Sequence, residues 1–75
     1  MARYTVEKIF SFGDESESRA VVVDGSVDVS IWDGVSWVVA DTLTTGPVEY
    51  FTKNLRLKFT PTGGASFFID ESGVL

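Results

Sequence analysis

Turn-forming residues punctuate this chain at short intervals: Asp24-Gly25, Asp33-Gly34, Gly46-Pro47 and Pro61-Thr62-Gly63-Gly64, preceded by the polar run Gly13–Ser18. Glycine takes positive φ without steric cost and proline presets φ near about −65°, so each cluster favours a reversal or a break in the chain. The stretches between them are rich in valine, threonine and aromatic residues, and several alternate apolar with polar positions, the period of a half-buried strand. Together these signals predict about seven short strands, Arg3–Phe12, Ala20–Val23, Val27–Trp32, Trp37–Asp41, Val48–Thr52, Leu55–Thr60 and Ala65–Asp70, in an all-β fold. A small antiparallel β-sandwich or barrel, a single domain over residues 1–75, is the architecture expected, with residues 1–12 as an N-terminal arm or an edge strand.

Alternation is cleanest in Leu55–Thr60, where Leu55, Leu57 and Phe59 share one face and Arg56, Lys58 and Thr60 the other. A loop from Pro61 to Ala65 would set Phe59 opposite Phe67, Leu57 opposite Ile69 and Arg56 opposite Asp70, pairing like with like and opposite charges. Asp24-Gly25 is expected to close a tight turn between Ala20–Val23 and the next strand. In the first strand Tyr4, Val6, Phe10 and Phe12 share a phase that Lys8 breaks, which suggests a bulge or an arm that pairs with a neighbour. An amphipathic helix through Tyr4, Ile9 and Phe12 is the alternative.

Val27–Asp41 holds both tryptophans, one on each side of Asp33-Gly34. With an even loop, of two residues or of four from Asp33 to Ser36, Trp37 shares the face of Trp32, Ser30 and Asp28. Val38 and Ala40 then join Val27, Val29 and Ile31. The tryptophans are expected side by side on the polar face, either covered by a second layer or exposed as an anchor for a partner.

Composition narrows the chemistry. A chain of 75 residues builds a marginal core, and domains of this size commonly add disulfides, a metal or partner subunits. Cysteine and histidine are absent, which removes disulfides, thiolate zinc sites and imidazole ligands and leaves oligomerisation or attachment to a larger assembly. The same absence removes the usual general base and the thiol nucleophile, so no catalytic, metal or cofactor residue is assigned and no cofactor is expected. Asp28 and Asp41, opposite or adjacent in the hairpin, are the one carboxylate pair to consider for glycosidase-like chemistry. In the acidic run, Asp14, Glu15 and Glu17 lack the spacing of a calcium loop and are read as a solvated, unanchored segment. A net charge of −5 with dispersed lysines and arginines argues against nucleic acid as a partner. No apolar run is long enough for a membrane span or a signal peptide, so no membrane partner is expected and synthesis is expected in the cytoplasm.

The segments SIWDGVSWVVADT and LRLKFTPTGGASFFIDE resemble those of small β-rich virion structural proteins of tailed bacteriophages, such as head decoration proteins and other capsid- or tail-associated subunits. The resemblance spans Val27 to Glu71, rests on hairpin patterns and β-rich composition, and contains no motif that carries functional residues across. It implies a non-enzymatic subunit that sits on a virion in many copies, often as a trimer, after synthesis in the host cytoplasm. Its partners would be itself, as a homo-oligomer, and a phage capsid or tail. The residues offered as interface candidates are Tyr4, Val6, Phe10, Phe12, Trp32 and Trp37. The other expectation is a ligand-binding module in which Trp32 and Trp37 stack on a glycan or peptide while Asp28 and Asp41 accept hydrogen bonds.

Overall fold

The computed structural model describes residues 3–75. The β-branched and aromatic runs form strands, but four rather than seven: β1 (Lys8–Ser11), β2 (Ser18–Trp32), β3 (Trp37–Phe51) and β4 (Arg56–Ile69). They make a single antiparallel sheet in the order β1-β4-β2-β3, curled into a half-barrel, and no helix occurs among the described residues. The all-β class stands, and the count of strands is corrected. Asp24-Gly25, Gly46-Pro47 and Pro61–Gly64 do not reverse the chain; they lie inside β2, β3 and β4 as irregularities of long, bent strands.

A positive φ can close a hairpin or insert an extra residue into a ladder, and the neighbours decide which. As two short strands folded on each other at Asp24-Gly25, Val22 would face Val27 and Val21 would face Asp28. As one long central strand, each half has a partner on both sides. Val21 and Val23 pair with Ile69 and Phe67 of β4 and with Val48 and Gly46 of β3. Val27 and Val29 pair with Pro61 and Phe59, and with Leu43 and Asp41. The extra residue is absorbed at Gly25, where φ is 101° and both registers shift. A Cβ there would lie 2.7 Å from the Ala65 Cβ, so the bulge of β2 and the bend of β4 meet at a point that only glycine fits.

The bend changes the register expected around Pro61–Ala65. Phe59 opposes Val29 and Lys8, and Phe67 opposes Val23, so the two phenylalanines do not face each other across a hairpin. They sit instead on the inner side of the same bent strand, with ring centroids 5.3 Å apart and an interplanar angle of 26°. Leu57 opposes Ile31 and Phe10, Ile69 opposes Val21, and Arg56 opposes Ser11 rather than Asp70. Asp70 accepts from the backbone N–H and the hydroxyl of Ser72, and these bonds, the hydroxyl's first, hold its carboxyl below the ordinary carboxylate range.

The inner face of the curl is the core. Val21, Val27, Val29, Leu57, Phe59 and Phe67 are completely buried there, and Phe10 and Phe12 join them. β1 lies as an edge strand along β4. Tyr4 pairs with Phe67 through reciprocal backbone hydrogen bonds of 2.7 and 2.9 Å. Lys8, which broke the phase, sets its ammonium 5.1 Å from the centroid of the Tyr4 ring.

Two connections are tied to each other. Thr52 donates its N–H to Glu17 O at 3.0 Å and its hydroxyl to Ser16 O at 2.5 Å, and Asn54 donates to Gly13 O. The acidic run is therefore anchored, contrary to the expectation: Ser16 is buried, and only Asp14, Glu15 and Glu17 face solvent. The C-terminal end packs on its own chain, where Val74 bridges Phe12 and Leu75 donates to Ser11 O.

Candidate interaction surface

The outer face is organised by the one tight hairpin among the described residues that the turn signals located correctly. Asp33 donates its N–H to Ser36 O at 3.1 Å, and its Oδ1 accepts the N–H groups of Val35 and Ser36, both at 2.8 Å. The Ser36 bond, then the Val35 bond, hold the Asp33 carboxyl below its ordinary range. Gly34, with φ 102°, completes a four-residue loop that sets Trp32 opposite Trp37. The indoles meet edge to face, with centroids 5.3 Å apart and an interplanar angle of 60°.

Val38 opposes Ile31 as the even register requires, but Ala40 does not take a place in the ladder. The register steps from Val29↔Asp41 to Ser30↔Val39, which leaves Ala40 as a bulge.

Both tryptophans stand on the outer side with Ser30, half-buried by neighbouring side chains and without a second sheet over them among the described residues. What flanks them comes from β4. Strand pairing sets Ser30 opposite Lys58, and Arg56, two residues away, shares that face. The Arg56 guanidinium carbon lies 5.9 and 5.8 Å from the two indole centroids, and the Lys58 ammonium lies 4.9 Å from that of Trp37. These are cation–π distances, each worth about 0.5–1 kcal/mol at an exposed site.

The sequence singled out the tryptophans and, separately, the outward phase of Arg56 and Lys58. It held no signal that β4 lies beside β2 and so brings the four together.

The other candidates scatter. Phe10 and Phe12 belong to the core and are not available to a partner in this fold. Tyr4 is half-buried, donating its hydroxyl to Glu71 at 2.6 Å, a bond that raises its pKa; Val6 is exposed. Asp28 and Asp41 do not form a pair. Asp28 accepts from the Thr42 hydroxyl at 2.8 Å on the outer face, whereas Asp41, in register with buried Val29, accepts from the Tyr50 hydroxyl at 2.9 Å. Burial, then this bond to Asp41, pushes the Tyr50 phenol well above its ordinary pKa. With one carboxylate directed to each face, neither the glycosidase-like pair nor the two acceptors beside a stacked ligand are assembled. Among the described residues, no cluster of three or more acidic side chains could hold a metal ion.

β3 is the second part of this surface. It pairs with β2 along one side, and among the described residues no strand occupies the other. Pro47 and the Ala40 bulge interrupt that edge, as natural edge strands often are interrupted. Between them, Asp41–Gly46 remains extended and carries three threonines and Leu43. Val38 and Val39, next to the tryptophans, are 50% and 65% exposed.

Compared with known protein families, curated proteins and solved structures, the chain matches none. A functional reading therefore rests on the geometry of this surface and on the chain's own pattern.

Proposed function

We propose that this protein is a non-enzymatic assembly subunit, a virion structural protein of the capsid-decoration or particle-stabilising kind, which acts through contacts between its own copies and with a larger lattice. The observation that carries the reading is the unpaired edge of β3. A strand edge presents a row of backbone donors and acceptors, and pairing it with another chain satisfies them without further folding. A domain of this size without disulfides gains from such a partner.

The pattern of the edge suits self-pairing. An antiparallel pair centred on Leu43 sets Asp41 against Thr45, and one centred on Thr44 sets it against Pro47, so no carboxylates are opposed. Threonine pairs across such a ladder add their own stabilisation, about 0.2–1 kcal/mol each. The virion assignment adds to this the resemblance of Val27–Glu71 to small phage structural subunits.

Sedimentation velocity of the purified protein over a range of concentrations, alone and with empty capsid shells, tests the reading. Association is expected for the natural sequence. Thr44→Lys, which places a charge on the exposed edge and leaves the core untouched, is expected to weaken it while the circular dichroism is unchanged. A natural protein that stays monomeric at high concentration and does not co-sediment with shells would overturn the proposal.

The alternative, a ligand-binding module built on Trp32 and Trp37, draws support from the outward position of the pair. The polar groups beside the indoles are cations rather than the two aspartates expected, which changes the ligand such a module would take.

A further inference from the structure

Arg56 and Lys58 are unusual in this chain. It holds eleven carboxylates against six basic side chains, so a cation on its surface is easily compensated. Yet among the described residues the one ion pair is Lys53–Asp14, and neither Arg56 nor Lys58 donates a side-chain hydrogen bond. Three acidic groups on the sheet and its turns are engaged elsewhere. Asp33 closes the hairpin loop, Asp28 accepts from Thr42, and Glu7 accepts from Thr60. The two cations instead lie beside the Trp32–Trp37 pair, and their N–H groups have no side-chain hydrogen-bond partner among the described residues. A guanidinium beside an aromatic ring keeps its planar fork of donors for a carboxylate.

We propose that Trp32, Trp37, Arg56 and Lys58 form a docking site for a carboxylate-bearing segment of a partner protein. Charge complementarity names the chemistry: two cations without partners form a local positive patch on a molecule of net charge −5 and take an anionic group. A nucleic-acid backbone needs a longer track of lysines and arginines than two. The site lies on the outer side of a curled sheet and is not a cleft, which suits a protein contact better than an enclosed small molecule. Exposed Val39, in register with Ser30 beside Lys58, supplies an apolar margin, so tryptophan, arginine and an aliphatic side chain meet as they do at the centre of protein interfaces. Although Trp37 and Val39 lie on β3, this site uses the outer face rather than the Asp41–Gly46 edge and does not depend on self-association.

The intrinsic tryptophan fluorescence, titrated with poly-L-glutamate at low salt, reads the site directly because both tryptophans of the chain belong to it. A saturable spectral shift is expected, lost at about 1 M salt, where the screening length falls to about 3 Å. Arg56→Gln with Lys58→Gln is expected to weaken binding at least about tenfold, a loss of about 1.4 kcal/mol. Lys58→Glu alone should weaken it further than Lys58→Gln, and both positions are solvent-facing, so the circular dichroism should not change. Absence of any shift with poly-L-glutamate would overturn the proposal, as would a shift that the two glutamine substitutions leave unaltered. Tighter binding of single-stranded DNA or heparin at equal charge would also overturn it, reassigning the cations to a polyanion. A monomeric protein that binds poly-L-glutamate would leave the docking site standing and remove the edge-pairing proposal alone.

Discussion

On the inner face of the sheet, Phe59 is completely buried and its ring contacts those of Phe10, Tyr50 and Phe67; on the outer face, Trp32 and Trp37 contact each other and two cations. Aromatic side chains lie a strand's thickness apart under opposite conditions. Inside, their area is removed from water by the fold itself and supports stability. Outside, larger side chains remain half-exposed, where the same area would be removed from water only by a partner. Bulk alone does not make a residue part of the core. What decides is whether the curl of the sheet turns a position inward, and in this chain the bulges at Gly25 and in β4 produce that curl.

The comparison breaks first at Phe59. Phe59→Ala is expected to cost about 3–5 kcal/mol in urea unfolding, a large share of the roughly 4–11 kcal/mol that a domain of this length has. A loss near that of a surface residue would show that the inner face is not the core. Gly25→Ala tests the curl itself. The added methyl meets Ala65 at a positive φ, and a loss of about 2–3 kcal/mol is expected from crowding and backbone strain together; a neutral outcome would mean that the bulge is not needed for the bend.

Thr52→Val examines how the two connections are tied. It removes the hydroxyl bond to Ser16 O from a fully buried site, and about 1–2 kcal/mol should be lost. On the outer face, Trp32→Ala and Trp37→Ala should each cost no more than about 1.5 kcal/mol of stability, since mainly the aromatic pair and partial burial are removed. A cost equal to that of Phe59→Ala would erase the distinction between the faces.

The smallest effect is expected at the hairpin tip. Asp33 has a folded-state pKa below its unfolded value, so its contribution is present above the ordinary carboxylate pKa and is lost as pH falls through the lowered one. Asp33→Asn keeps an oxygen acceptor but not the charge. The melting temperatures of the two proteins should therefore differ modestly at neutral pH and converge in acid, and a difference that persisted in acid would contradict the role assigned to the carboxylate.

The pattern of the chain made much of this legible, and the failures have a common cause. The parity of an even loop after Trp32 puts Trp32 and Trp37 on one face, and the alternation of Leu55–Thr60 separates Leu57 and Phe59 from Arg56 and Lys58, because both are properties of neighbouring residues. Asp24-Gly25 and Pro61–Gly64 suggest reversals, and Gly46-Pro47 a break, because a positive φ serves a turn and a bulge equally. The choice between them depends on pairings such as Val23 with Phe67, distant in sequence. Phe10 and Phe12 looked available to a partner for a related reason: a short, irregular strand reveals its place only once the strand beside it is known. The tryptophan–cation site was hidden in the same way, its halves being visible on strands whose adjacency was not.

The central claim is that β3 is an edge made to be paired by another copy of the chain. Amide hydrogen exchange along Asp41–Gly46, measured as protein concentration is raised, tests it most directly. Outward-facing amides of this stretch should exchange rapidly in dilute protein and become protected as the chains associate, while Thr44→Lys keeps them exposed. If they exchange at unprotected rates at every concentration while the core amides of β2 and β4 stay protected, the edge is not an assembly surface and the account fails.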